Sequence, residues 1–360
     1  MTDIYIHYGT DLTGITYELM AAARIADRLR PEMTVGIKPN LVVARPADGG
    51  ATTHPEIVEG VIRYVRDAGV RRIAILEGSW VGDGTQKAFR NCGYAELAEK
   101  YGASLIDTKH DKVVERSSKG LTLSLCESAL KVDYLVNVPV LKGHCQTGMT
   151  CCLKNLKGCI PDSEKRRYHT LGLHKPIAAL NTLLRPALHI IDSVCGDPTF
   201  EEGGNPVEAN RILLGFDPVL LDSYAAQLLG FEPDDIEYLR LAKEYGVGTY
   251  ADSKTEIVEL NAHNRPKTAG SRRVQSSTVK KYSQFIDEDG ACSACYAALV
   301  SALHQTNGLG YGRIRIGQGY KGKTSKGLGT GNCAAGCEHY VKGCPPKASD
   351  IAAMIRQLRL

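Results

Sequence analysis

The sequence has little that would mark it for export, for a bilayer or for nucleic acid. Its opening, MTDIYIHYGTDL, has no basic stretch followed by an apolar one, and no apolar run reaches the ~18 residues that span a bilayer. The expectation is a soluble, cytoplasmic protein with no membrane partner. A net charge of +4 at pI 8.4 is far from the dense Lys/Arg face of a duplex binder, so small anions are better partners than nucleic acid. The glycine-rich turns match neither the P-loop nor the full dinucleotide fingerprint. The tight C-x-x-C-x-x-C of ferredoxins is also missing.

What is present is ordinary globular composition, 43% apolar and 23% charged over 360 residues, enough for two or three domains. Twelve cysteines at uneven spacing, with no export signal, point to metal ligation or thiol chemistry and against a disulfide framework. A reducing cytoplasm, that of an anaerobe included, suits them.

Strand-like runs alternate with helical ones. Residues 3–8, 33–38, 71–77, 103–107, 133–140, 187–193 and 211–214 read as strands; residues 12–29, 53–69, 175–184, 219–229 and 234–245 read as helices. This predicts an α/β fold, mainly parallel with helices on both faces, in two lobes with a cleft. It would occupy residues 1–260, followed by a basic linker (261–289) and a cysteine-rich module with a C-terminal helix (290–360).

Leu141–Pro161, LKGHCQTGMTCCLKNLKGCIP, follows an apolar strand and crowds reactive side chains into one turn and the start of a helix. His144 is a candidate acid/base, because imidazole titrates near neutrality. Lys142, Lys154, Asn155, Lys157 and the segment Lys165 to His169 favour a carboxylate or phosphate ligand over a merely solvated basic face. Lys38 and Asn40, at a strand's carboxyl end, lie where open α/β sheets bind ligands; their bland alternative is a solvent-facing turn. Ser79 sits in the glycine-rich turn Gly78 to Thr85, whose amides suit an anion. Cys151, Cys152 and Cys159 lie among cations that would lower a thiol pKa, against the reading of small buried hydrophobes. Asp192 and Asp217 either orient a His or Lys or cap a helix.

Cys292-Ser-Ala-Cys295 opens a helical run, and Cys333, Cys337 and Gly343-Cys344-Pro345-Pro346 follow a glycine-rich span. Two thiols at a helix start suit a metal. The candidate ligands are Cys292, Cys295, Cys333 and Cys344, with Cys337 as the alternative, and the metal is a 4Fe-4S cluster or a structural zinc.

Lys38-Pro39-Asn40-Leu41-Val42, Thr53-His54-Pro55-Glu56, Leu141-Lys142-Gly143-His144, Leu153-Lys154-Asn155-Leu156-Lys157-Gly158, Asp217-Pro218-Val219 and Gly343-Cys344-Pro345-Pro346 together resemble the domain-of-unknown-function 362 family. The resemblance implies an α/β domain followed by an iron–sulfur module. His144, Gly148, Lys154, Gly158, Pro161 and His169 are also similar in type and spacing to the central stretch of the nickel-pincer lactate racemases. That likeness implies catalytic roles for His144, Lys154 and His169, with a nickel pincer or other additional metal as an option. The racemases' arginine- and proline-containing phosphate motif is absent, and Lys38-Pro39-Asn40 occupies that part of the chain.

Three functions are compatible with these features. The leading one is an iron–sulfur oxidoreductase acting on an anionic small molecule and drawing electrons from a ferredoxin-type donor. The second is an electron-transfer or cofactor-maturation partner without its own substrate. The third is a racemase-like acid/base enzyme with a structural metal site.

Overall fold

Alternation of side chains along a strand decides which residues of this chain meet helices and which line a site. The computed structural model describes residues 3–266, 281–307 and 312–358. It divides into two units, Met1–Lys165 with His174–Arg273, and Arg166–Leu173 with Val274–Leu360.

In the first unit β1 (Ile4–Tyr8), α1 (Leu12–Ala22), β2 (Thr34–Pro39), α2 (Pro55–Asp67), β3 (Arg72–Glu77), α3 (Thr85–Asn91), α4 (Tyr94–Tyr101) and β4 (Ser104–Asp107) come first. A hairpin, β5 (Val113–Ser118) with β6 (Leu121–Cys126), and α5 (Glu127–Lys131) lead into β7 (Tyr134–Val138). A second hairpin follows, β8 (Lys142–His144) with β9 (Gly148–Thr150), then α6 (Cys152–Asn155), α7 (Asp162–Thr170) and α8 (His174–Leu183). The elements β10 (Leu188–Ser193), β11 (Arg211–Gly215), α9 (Pro218–Leu228), α10 (Glu237–Glu244) and β12 (Ile257–Glu259) complete the unit. Helix α7 passes from one unit to the other.

Eight strands form one sheet in the order β12-β1-β11-β10-β7-β2-β3-β4. Neighbours are parallel except where β11 meets β1 and β10. The fold is thus α/β with a mostly parallel sheet. Val35, Ile37, Ile73, Ile75, Val136, Val138, Leu188, Ile190, Ile212 and Leu214 share one face and build the core with Leu19 of α1 and Ile57, Val61 and Val65 of α2. The opposite parity carries Lys38, Asn137 and His189, all fully buried. On that face polar groups replace part of an apolar layer.

The second unit has its own parallel sheet, β13 (Ile286–Glu288), β14 (Ile314–Ile316), β15 (Ser325–Thr330) and β16 (Cys337–Val341), in that order. Helices Ser293–Gln305 and Ala348–Gln357 pack together and bury Leu299, Val300, Ile351 and Ile355. Of the expected linker 261–289, residues 267–280 lie outside the described residues, and Ile286–Glu288 is a strand.

Helices α1 and α2 pack closely at Gly60, where an added Cβ would come within 2.6 Å of Thr13 O and 2.7 Å of Thr16 Cβ. Substituting Gly60→Ala should push the helices apart and cost about 1–3 kcal/mol. Urea unfolding of the two proteins measures it, and equal midpoints would mean that the contact relaxes freely.

Candidate functional site

Strands β2, β3, β7 and β10 run parallel, so their carboxyl ends lie at one edge of the sheet. Lys38, at the end of β2, is fully buried, and its amine donates to Glu77 Oε2 (2.8 Å) and Pro39 O (2.6 Å). A buried ion pair survives only if its remaining hydrogen-bonding capacity is also met. Here Glu77 accepts from the Leu41 amide (2.8 Å) and the Gly78 amide (2.7 Å). Asn155, closing α6, accepts from Asn40 Nδ2 (2.9 Å) and donates to Asn137 Oδ1 (2.8 Å). Asn40 Oδ1 in turn accepts from the Lys142 amine (3.1 Å). The result is one continuous polar chain from Glu77 to Lys142 beneath the site. Asn137 Nδ2 approaches His189 Nδ1 at 3.1 Å, and burial drives the His189 imidazole down to about 3, so it is neutral.

Above this layer the β8–β9 hairpin presents Lys142 and His144. The Lys142 amine donates to Asn40 Oδ1, to Ala51 O and to Glu201 O (2.8 Å), which uses all three N–H bonds. Burial, reinforced by the Lys154 charge, lowers it to about 7 against the pull of Glu201 and Glu77. Lys154 on α6 is lowered to about 8 by burial, opposed by Glu201 and Cys145. Its amine donates to Thr150 Oγ1 at 3.1 Å, so among the described residues two of its N–H bonds have no hydrogen-bonding acceptor.

His144 Nδ1 faces the amides of Gln146 (3.1 Å) and Thr147 (3.2 Å). An amide can only donate, so in the neutral ring the proton sits on Nε2. That nitrogen faces Glu201 Oε1 at 3.7 Å, within ion-pair range and beyond a hydrogen bond. Cys145 Sγ lies 3.3 Å from the same oxygen, and burial, then Glu201, raises its thiol well above the ordinary range. Glu202 is pushed up to about 7 by burial and by Glu201. Among the described residues, two groups bring three metal-capable donors within 4.8 Å of one another: His144, Cys145 and Glu201, and Cys151, Cys152 and Asp222.

Of the two readings left open for the central thiols, activation by nearby cations and simple burial, the structure favours burial. Burial raises Cys151 and Cys159 to about 12 and Cys152 well above its usual value. Lys38 and Lys165 do pull Cys159 down, but desolvation of a thiolate outweighs them. Asp222 accepts from the Cys152 amide (2.7 Å) and the Leu153 amide (3.1 Å), so it caps α6. Asp217 likewise caps α9.

The remaining expected site residues are dispersed. The Ser79 hydroxyl is buried and donates to Leu41 O (2.7 Å). The amides of its glycine-rich turn are engaged internally: Gly78 with Glu77, Ser79 with Thr85 Oγ1 and Gly84 with Asp83. Lys157 lies half-buried in the single turn Leu156–Cys159. His169 falls in the second unit, whereas His144 and Lys154 are in the first. Glu77, Glu201 and Glu202 had no sequence signal. The two consecutive acids lie in an irregular loop whose Gly203 (φ +73°) stands so close to Gly49 O that a Cβ would approach within 2.2 Å, a close packing that no periodicity announces.

In the second unit Cys292 is the residue before helix Ser293–Gln305, and Cys295 lies in its first turn. A Cβ on Gly331 (φ +84°) would be 3.4 Å from Cys295 Sγ and 3.6 Å from Gly343 O. Asn332 N donates to Gly343 O (2.9 Å), and Gly343 N to Asn332 Oδ1 (2.9 Å), so the turns bearing Cys333 and Cys344 are tied together. Burial raises Cys333, and the Cys344 charge adds to this. Cys337, by contrast, is buried under β15, where a Cβ on Gly329 would meet its sulfur at 2.6 Å.

The family model described as Domain of unknown function (DUF362) matches residues 35–227, more than half of the chain. The chain belongs to the DUF362 family. The matched residues hold every DUF362 motif quoted above except Gly343-Cys344-Pro345-Pro346. The thylakoid-associated protein sll1697 of Synechocystis sp. is 25% identical over 283 residues, 72% of this DUF362 chain and 86% of its own. Two solved structures are also similar. The lactate racemase apoprotein of Thermoanaerobacterium thermosaccharolyticum has 14% identity and a TM-score of 0.42, over 62% of this chain and 57% of that one. A Thermotoga maritima protein has 10% identity and a TM-score of 0.39, over 66% of this chain and 60% of its own. Each alignment spans under two thirds of the solved chain. Among the described residues no helix is long and apolar enough to cross a membrane.

Glu77→Ala should cost about 3–5 kcal/mol, because it leaves the Lys38 charge buried without its counter-charge. The double substitution Lys38→Met with Glu77→Leu should recover most of that loss, and urea unfolding of the three proteins separates the two cases.

Proposed function

We propose that this DUF362 protein is an enzyme that binds a small carboxylate or phosphate anion on Lys154, with the His144–Glu201 pair moving a proton to or from it. The observation that carries this reading is the contrast between two neighbouring amines. Lys142 is saturated by three oxygens, whereas Lys154 keeps two N–H bonds for a ligand. Lys38, Asn40 and Asn155 act beneath it as positioning residues. His144 suits the acid role because its bonded Nδ1 leaves the proton on Nε2. The same bonds weigh against a metal in the His144–Cys145–Glu201 group, since a metal on Nε2 needs the opposite tautomer.

The second unit is proposed to carry a 4Fe-4S cluster on Cys292, Cys295, Cys333 and Cys344. Soft thiolates suit iron and sulfide. The closeness of Cys295 and the Cys333 and Cys344 turns around Gly331 supports this ligand set, with Cys337 left to packing. When bound, such a cluster supplies single electrons, which makes the proposed reaction a redox one fed by a ferredoxin-type donor. An acid/base isomerisation is the second reading, favoured by the His144–Glu201 pairing alone.

Calorimetric titration with phosphate, pyruvate and lactate tests the anion site. Lys154→Met should lose tenfold or more in affinity, as expected for a charge-assisted bond of ~1.5–3 kcal/mol. The ammonium holds the anion only while protonated, so binding should weaken as pH rises through about 8. Anaerobic purification with iron, sulfide and zinc determination tests the second unit: a brown protein whose colour is lost in Cys295→Ser is expected. A colourless protein with one zinc would remove the redox reading.

A further inference from the structure

Away from Lys154 and His144, three side chains of the first unit form an arrangement that neither the anion site nor the cysteine module uses. His54 Nε2 lies 3.6 Å from Cys195 Sγ, and His54 Nδ1 lies 2.8 Å from Asp192 Oδ2. The carboxylate is held firmly. Its Oδ2 also accepts from the His54 amide (2.9 Å), and its Oδ1 accepts from the Val194 amide (3.1 Å). Asp192 is the penultimate residue of β10, Cys195 lies three residues on, and His54 immediately precedes Pro55 of α2. A thiol within reach of an imidazole, itself oriented through its other nitrogen by a carboxylate, is the geometry of an activated nucleophile.

We propose that Cys195, His54 and Asp192 form a nucleophilic site that takes an acyl group from a small ester or thioester. The Cys195 thiolate attacks the acyl carbon; the C–S bond forms, the bond to the leaving alkoxide or thiolate breaks, and that group takes the proton from the His54 imidazolium. Water then adds to the thioester as His54 accepts its proton. The C–S bond breaks, the acid departs and the thiolate is restored. Cys195 Sγ also lies 3.4 Å from Ala47 O in the turn Ala47–Gly49, and the residue is 8% exposed, so a small acyl donor is the substrate class proposed.

The charges around the pair are consistent with this role. Burial disfavours the imidazolium, but Asp192 and then Cys195 outweigh it and raise His54 to about 10. Nearby Tyr94 donates to Thr53 O at 3.0 Å, and burial raises its hydroxyl well above the usual range, so it stays neutral. Protonated His54 thus sets a cation 3.6 Å from the Cys195 sulfur.

The test is iodoacetamide alkylation of the folded, full-length chain from pH 6 to 9, with peptide mapping, followed by exposure to p-nitrophenyl acetate. Cys195 should be alkylated at pH 6 at least tenfold faster than the other mapped thiols. His54→Gln and Asp192→Asn should each slow it tenfold or more and restore a rate that climbs with pH. The ester should release one equivalent of nitrophenolate in a burst, with the acetyl group on Cys195 and the burst abolished in Cys195→Ser. Labelling of Cys195 only after denaturation, a rate that rises with pH as for a free thiol, or alkylation without acetyl transfer would each overturn the proposal. The alkylation pH profile and the nitrophenolate burst use the unaltered protein, so they stand even if a variant fails to fold.

Discussion

The ion pair between Lys38 and Glu77 is the constraint on which the first unit is arranged. Two charges with almost no contact with water persist only while every lone pair and N–H bond around them finds a partner. That requirement brings in the amides of Leu41 and Gly78, the side chains of Asn155 and Asn40, and through them Lys142. The carboxyl ends of β2 and β3 and the end of α6 are thereby locked to one another.

Both sites draw on this locked edge by way of the segment between β2 and α2. Ala51 O receives the Lys142 amine on one side, and Ala47 O faces the Cys195 sulfur at 3.4 Å on the other. Thr53, between them, accepts from the Asn40 amide and donates to Val138 O. One loop therefore supports the proposed anion site, whose Lys154 amine has a single acceptor among the described residues, and a separate thiol–imidazole–carboxylate array. Burial disfavours the charged form in both, with opposite outcomes: it lowers the amines of Lys142 and Lys154, while at His54 it loses to an adjacent carboxylate.

Much of the fold was legible because strands and helices have different periods. The apolar runs at 33–38, 71–77, 133–140 and 187–193 each became strands of the main sheet, and the Pro-led segment after His54 became α2. Two things were not. The Leu141–Pro161 stretch was expected as a turn and helix but holds a hairpin, because strands as short as β8 and β9 carry too few residues to show alternation. The strand at 211–214 was legible but its antiparallel direction was not, because a fully buried strand reads the same in either direction. Within the site, His144, Lys142 and Lys154 stood out through their clustering along the chain. Glu201 and Glu202 did not, since their proximity depends on a loop docking almost sixty residues away.

The amino-acid order alone determined the α/β alternation, the family and the identity of the cations near the centre, because local period and motif spacing are properties of neighbours in sequence. Tertiary structure alone decided which amine is saturated, which thiols are buried and that Cys195 faces an imidazole. Those outcomes turn on desolvation and on distances of a few ångström between residues as far apart as His54 and Cys195, and neither quantity is encoded in any local stretch.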